Sequence, residues 1–200
     1  FAHESGREIL LLLSQQGEWI NRLSNPTEWG RQTYWVTWNA NREIVSIEMR
    51  EIDYDARQRP WFKGAMTLPN TQAVHWTDPY IFYTTKDPGI TAAMRWTGGD
   101  GSTYIIGHDV RLSSIADYTT RLTLGTRGSV ALFLNDGKII APPHDPRFSN
   151  AAKINQAVLK TADELDLPEL AEGFRRWQAD PNPDSKLRAF SRPDGRWLSL

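Results

Sequence analysis

Tyr54-Asp55-Ala56-Arg57-Gln58-Arg59-Pro60-Trp61-Phe62-Lys63-Gly64-Ala65 is the stretch of this chain whose side chains best suit chemistry. It brings two guanidiniums, a phenol and an indole into the turn between a predicted strand and a short predicted helix, beside helix N-terminal amides that favour an anion. Arg59 offers a planar fork matched to a carboxylate, and Trp61 an apolar wall that lowers the local dielectric and strengthens such a pair. A small carboxylate is the natural guest. The same residues fit a plainer arrangement, a surface salt bridge from Arg57 or Arg59 to Asp53 or Asp55.

Signatures of catalysis are missing. His3, His75, His108 and His144 are too dispersed for a local metal pair, and there is no HExxH, no G-x-S-x-G and no G-x-x-x-x-G-K-[ST]. Gly98-Gly99-Asp100-Gly101-Ser102 lacks the lysine of a phosphate loop and reads as a hairpin. With no cysteine, a disulfide frame, a thiolate metal site and a cysteine nucleophile are excluded, and either cytosol or periplasm is compatible. The acid pairs Asp53/Asp55 and Asp163/Glu164 read as solvated charges rather than as a glycosidase pair. Nine tryptophans read as core or interface filler, with a sugar-stacking platform as the rival. No catalytic residue, metal ligand or cofactor is assigned.

The elements that must position the Tyr54–Ala65 segment belong to an ordinary globular chain. Twenty-three basic residues against 24 acidic leave a net charge of −1, which gives phosphate no electrostatic footprint and argues against nucleic acid as a partner. The longest apolar run, Ile9 to Leu13, falls far short of the roughly 20 residues needed to cross a bilayer. The chain starts at Phe1 and stops at Leu200 inside a predicted strand, so a piece of a longer protein is expected.

Ile9, Leu12, Leu13, Ile20 and Leu23 recur at helix-like spacing and predict a long N-terminal helix over residues 1–23. Tyr34, Val36 and Trp38 then alternate, as do Val45, Ile47 and Met49, predicting an antiparallel pair. Pro60 opens a short helix to about Met66, and strands follow at about 80–85, 90–97 and 103–110. A second unit is predicted from helix 112–124, strands at 129–134 and 138–141, helix 151–162, a helix capped by Asp166 with Leu170, Phe174 and Trp177 on one face, and strands at 186–190 and 196–200. The class is α+β: the N-terminal helix, a module over 24–111, and a second module of similar architecture over 112–200.

Taken together, Tyr54-Asp55-x-Arg57-x-Arg59-Pro60-Trp61-Phe62-Lys63-x-Ala65, then Trp76-Thr77-Asp78-Pro79-Tyr80, Pro88-Gly89-Ile90-Thr91 and Ile106-Gly107-His108-Asp109-Val110-Arg111-Leu112 resemble the double Cache family of bacterial extracytoplasmic sensor domains. The match is concentrated in residues 50–115. The resemblance implies two PAS-like modules stacked along a long helix in the periplasm, the membrane-distal one holding a small-molecule ligand. The family's amino-acid-binding members use a tyrosine, an arginine five positions on, a Trp-Tyr pair, then a later tyrosine and an aspartate. Tyr54, Arg59 and Trp61 match in type and spacing, and Tyr80 and Asp109 are the later pair. Phe62 departs from the pattern, lacking a hydroxyl on the implied ammonium side. Another organic acid, or an amine held by Asp109 and Tyr80, therefore stays open beside an amino acid. Asp78 either supplements the amine side or opens a turn.

The expected function is a periplasmic ligand-binding sensor domain of a membrane-bound signalling protein, without catalysis of its own and with a possible homodimer along the N-terminal helix. The output, whether chemotaxis, a kinase or a cyclase, would lie beyond Leu200. Two rivals remain: a protein–protein sensing or dimerisation module with no small-molecule ligand, and a carbohydrate-binding domain using the tryptophans.

Overall fold

In the computed structural model of the chain, which describes residues 1–14, 16–119, 130–179, 189–191 and 197–199, residues 1–23 form strands and not the expected long helix. They make β1 (Ala2–His3), β2 (Glu8–Leu13) and β3 (Trp19–Ser24, reaching one residue further). A run of consecutive aliphatics has no period of its own, so helical spacing can be read into it as easily as alternation. The turn decides. Ser14 Oγ accepts the amides of Gln16 and Glu18 at 3.2 and 3.1 Å, Ser14 N donates to the Glu18 carbonyl, and Gly17 sits at φ +81°. A side chain is strained there. Gly17→Ala is accordingly expected to destabilise the fold by about 1 kcal/mol in urea melts, whereas in a helix the same change would stabilise by about as much. Without that helix, the homodimer expected along it loses its element.

The chain divides into two compact units, Phe1–Val110 and Arg111–Leu200. The first is built on one mainly antiparallel sheet. To β1–β3 it adds β4 (Gln32–Trp38), β5 (Ile44–Glu51), β6 (His75–Trp76), β7 (Tyr80–Ile81), β8 (Pro88–Thr97) and β9 (Thr103–Arg111). The order is β5-β4-β3-β2-β1-β9-β8-β6, with β7 also on β8. Two short helices interrupt it, α1 (Pro26–Trp29) and α2 (Pro60–Met66), the latter opening at Pro60 as its fixed φ suggests.

Register sorts the β2–β5 ribbon into two unlike faces. Leu11 opposes Asn21, which opposes Val36, which opposes Ile47; Leu13 opposes Trp19, and Tyr34 opposes Met49. This face is apolar, and Leu11, Leu13, Ile47 and Met49 are more than half exposed. The other face carries Glu8, Arg22, Ser24, Thr33 and Trp35, and of these Glu8, Arg22, Ser24 and Thr33 are buried. The alternation in β5 thus places Ile47 and Met49 toward solvent.

The core of this unit gathers Trp61, Phe62 and Ala65 of α2 with Ala2, Ala56, Ala93 and Ile105, and Tyr54, Leu68 and Tyr80 pack at its margin. Ala2, wholly buried, faces both Glu8 and Ile105 across the ladder, so the small residue lets β1 join the N-terminal ribbon to β9. The predicted glycine turn joins β8 to β9, with Gly101 at φ +79°.

In the second unit, α3 (Leu112–Thr119) is followed by the hairpin β10 (Leu132–Phe133) and β11 (Ile139–Ala141), then α4 (Ala151–Ala157), α5 (Pro168–Ala179) and the ladder β12 (Ala189–Ser191) with β13 (Trp197–Ser199). Gly137 holds φ +85°, and the Phe174 ring lies where a side chain at 137 would sit. Helix α4 stops earlier than expected because Val158 is extended and Leu159 takes φ +66°. Asp166 is not the expected cap: it takes φ +52°, and the Leu167 carbonyl receives the first helical bond, from Ala171. Residues 120–124, Ser129, 186–188, the Arg192–Gly195 turn, Arg196 and Leu200 lie outside the described residues. No helix of the described residues is long and apolar enough to cross a membrane.

Candidate ligand-binding site

After Glu51 the chain folds back tightly. Asp55 Oδ1 accepts the Arg57 amide at 2.9 Å and caps the 3-10 turn Ala56–Gln58. The same carboxylate receives Arg57 Nε at 2.9 Å and Nη2 at 2.8 Å. These guanidinium bonds hold Asp55 below the usual carboxylate range. The plain salt bridge is therefore present, and Arg57 makes it.

Arg59 is left for other work. Its Nη2 donates to the Ile81 carbonyl at 2.8 Å, and its guanidinium carbon stands 5.3 Å from the centre of the Tyr80 ring. Among the described residues no carboxylate forms an ion pair with it. With Arg31, Asp53, Tyr54, Gln58 and Tyr83 it lines a cavity of about 440 Å³, within the roughly 300–1,000 Å³ typical of small-molecule pockets.

Tyr54 contributes its ring to that cavity, but its hydroxyl is engaged, donating to Glu8 Oε1 at 2.7 Å. Burial, and next the charge of Glu8, push this phenol far above its ordinary range, so it remains a donor. Glu8 Oε2 receives Arg22 Nη2 at 2.6 Å in an ion pair whose side chains are 1% and 4% exposed. The Arg22 guanidinium carbon stands over Tyr54, 3.9 Å from the ring centre, and its Nη1 donates to Thr84 Oγ1 at 2.7 Å.

Tyr80 and Asp109 belong to a second group, joined through Thr91, which the sequence offered as part of the Pro88–Thr91 block and without a role of its own. Thr91 Oγ1 donates to Asp109 Oδ1 at 2.6 Å, and since Thr91 has one hydroxyl proton, Tyr80 must donate to Thr91 across their 2.7 Å contact. Burial pushes the Tyr80 phenol up to about 12. Asp109 as a residue is exposed, yet its carboxyl is enclosed by neighbouring atoms, and this desolvation raises it, opposed by the Thr91 bond. An acid raised in the folded state adds stability while protonated and loses that contribution as pH climbs through the raised value. Urea midpoints are therefore expected to fall as pH rises from about 4 through that value, and in Asp109→Asn this fall should disappear.

Trp61 and Phe62 do not line the cavity; at 7% and 5% exposure they face the core. The reason is local: at consecutive positions of a short helix laid on the sheet, with Ala65 one turn on, they form its inner face. The Trp61 ring lies against Gly107, where an added Cβ would stand 3.2 Å from Trp61 and 3.1 Å from Thr91, so the indole sits beside the Tyr80–Thr91–Asp109 relay. The hydroxyl absent at Phe62 is absent from the core. Asp78 is exposed, and in its segment the buried Thr77 is the anchoring residue, with Oγ1 accepting the Thr91 amide at 2.9 Å. The structure thus brings Tyr54 and Arg59 to one cavity, links Tyr80 to Arg59 by ring contact and to Asp109 by the relay, and leaves Asp78 aside. Glu8, Arg22 and Thr84 were missed, and Thr91 was quoted only within the Pro88–Thr91 block. Their signal was available only with strand register, which puts Glu8 and Arg22 on one face of adjacent strands.

Among proteins of known function, the chain is similar to the methyl-accepting chemotaxis protein PscA of Pseudomonas syringae pv. tomato, 26% identical over 138 residues, or 68% of this chain and 20% of that protein. It is also similar to the methyl-accepting chemotaxis protein McpG of Pseudomonas putida, 31% identical over 90 residues, or 45% of this chain and 14% of that protein. The chain thus spans a fifth or less of the length of these relatives. No protein-family model matches it. Among solved structures it is similar to the ligand-binding domain of the Pseudomonas fluorescens chemoreceptor CtaA in complex with L-serine, with a TM-score of 0.44 and 21% identity over 83% of this chain and 62% of that one. The ligand binding domain of the Pseudomonas aeruginosa PAO1 chemoreceptor PctB in complex with L-Gln gives a TM-score of 0.42 and 18% identity over 81% and 57% of the two chains. That the relatives found by sequence are methyl-accepting chemotaxis proteins agrees with the resemblance carried by residues 50–115.

Proposed function

We propose that the chain is the extracytoplasmic sensor part of a membrane-anchored chemotaxis receptor and binds a small carboxylate-bearing metabolite, amino acids included, in its first unit, residues 24–111 supplying the pocket. One observation carries the reading: Arg57 satisfies Asp55, and Arg59 is thereby kept at a cavity with guanidinium donors to spare. A carboxylate entering there meets a planar fork backed by the Tyr80 ring. For a zwitterion, Asp109, bonded to Tyr80 through Thr91, is the acid proposed to offer the opposite charge. Binding without catalysis is all the arrangement asks, and the periplasm is the proposed compartment.

The test takes the zwitterion apart. L-alanine, propionate and ethylamine, with longer amino acids and dicarboxylates, are titrated while the melting temperature is followed. The carboxylate-bearing members are expected to raise it and ethylamine to do less. If no carboxylate raises it at millimolar concentration, the small-molecule reading is withdrawn. The rival reading, a protein-interaction module, then gains, because Leu11, Leu13, Ile47 and Met49 share one exposed apolar face.

A further inference from the structure

We infer that Arg22 and Glu8, which touch no part of the proposed cavity's opening, are positioning residues for it: a buried charged clamp that fixes Tyr54 and the loop between β7 and β8 in their binding arrangement. The inference rests on the proposed carboxylate site and adds what holds that site in place.

Four contacts converge on one guanidinium. Arg22 Nη2 takes Glu8, Nη1 takes Thr84 in the Tyr83–Thr85 turn, and the guanidinium carbon lies 3.9 Å from the Tyr54 ring centre and 5.9 Å from that of Tyr83. Tyr54 and Tyr83, 4.8 Å apart, are both walls of the cavity. Three residues before Thr84 stands Ile81, whose carbonyl receives Arg59. The loop between them is closed by the Phe82 amide on the Asp87 carbonyl and the Lys86 amide on the Phe82 carbonyl. A single buried cation thus bonds the loop that supplies Arg59's acceptor and supports both aromatic walls.

Burial of an ion pair is not by itself a reason to expect stability, since apolar side chains of similar volume commonly hold a fold as well. Apolar side chains cannot, however, bond the Thr84 and Tyr54 hydroxyls. These are the bonds that set direction, and they are what the charges contribute here. Even so, Arg22 Nε is buried with no partner, so the guanidinium is not fully satisfied as a structural group. Its fit is to Glu8, Thr84 and the two rings.

Two variants of the whole chain separate positioning from folding. Thr84→Val removes the link to the loop while leaving the ion pair intact; Glu8→Leu with Arg22→Met removes the pair for apolar volume. Both are expected to melt within a few degrees of the parent, to exchange the Phe82 and Lys86 amides at least tenfold faster without ligand, and to bind L-alanine, propionate or succinate at least tenfold more weakly. Unchanged exchange at those amides overturns the inference whatever the ligand result. Faster exchange with unchanged affinity for a compound that the parent binds also overturns it. If neither these three nor any other carboxylate of the melting-temperature series binds the parent, the carboxylate reading fails instead, and the clamp stands or falls on exchange alone.

Discussion

Arg59→Ala is expected to abolish the rise in melting temperature produced by a bound carboxylate while leaving the unliganded protein nearly as stable as before. At about 100 times Kd, a ligand adds roughly 2.7 kcal/mol, or some 5–10 °C for a chain of this length. A charge-assisted bond contributes about 1.5–3 kcal/mol, and a two-pronged one lies at the upper end. Its loss weakens binding on the order of a hundredfold, which brings the same ligand concentration down to about Kd and the shift to near zero. Unliganded stability changes little because Arg59 is only half-buried and bonds one carbonyl in an exposed setting. Arg57→Ala is the control. It breaks a surface pair of the kind worth about 0–1 kcal/mol, and Arg57 does not line the cavity. A ligand shift that survives intact in Arg59→Ala, or that disappears equally in Arg57→Ala, removes Arg59 from the site.

The strand, turn and helix from Tyr34 to Met66 were legible because each has an unambiguous local cause: alternation at Tyr34–Trp38 and Val45–Met49, and proline at the first helical position. The N-terminal strands were not, because Ile9–Leu13 is uniform and the punctuation lies in Ser14 and Gly17, which resemble an interrupted helix until the turn bonds are known. That one misreading concealed Glu8 and Arg22, which on a helix would be ordinary surface charges. Arg59 was legible by type and spacing. The inward turn of Trp61 was not, since position on a helix tells which residues share a face but not what that face meets. Thr91 stood in the sequence only as the end of the Pro88–Thr91 block; its role comes from lying between Tyr80 and Asp109 across the sheet.

Arg22→Ala should strongly destabilise the first unit. The substitution leaves Glu8 buried without the cation it pairs with, its carboxylate still bonded by the Tyr54 hydroxyl. Breaking a buried pair from one side costs about 3–5 kcal/mol, because the remaining buried charge is no longer compensated by an opposite one. In a unit of this size that is a fall of roughly 10–20 °C in melting temperature. The void beneath the Tyr54 ring adds to the loss. The double replacement by leucine and methionine should recover most of the loss, since it removes both charges together and refills the space. Recovery of stability without recovery of ligand affinity is the outcome that distinguishes a charge kept for placement from one kept for strength. If Arg22→Ala melts within about 1 kcal/mol of the parent, the pair is solvated in reality, and the closed arrangement of Glu8, Arg22 and Tyr54 is not the one the chain holds in solution.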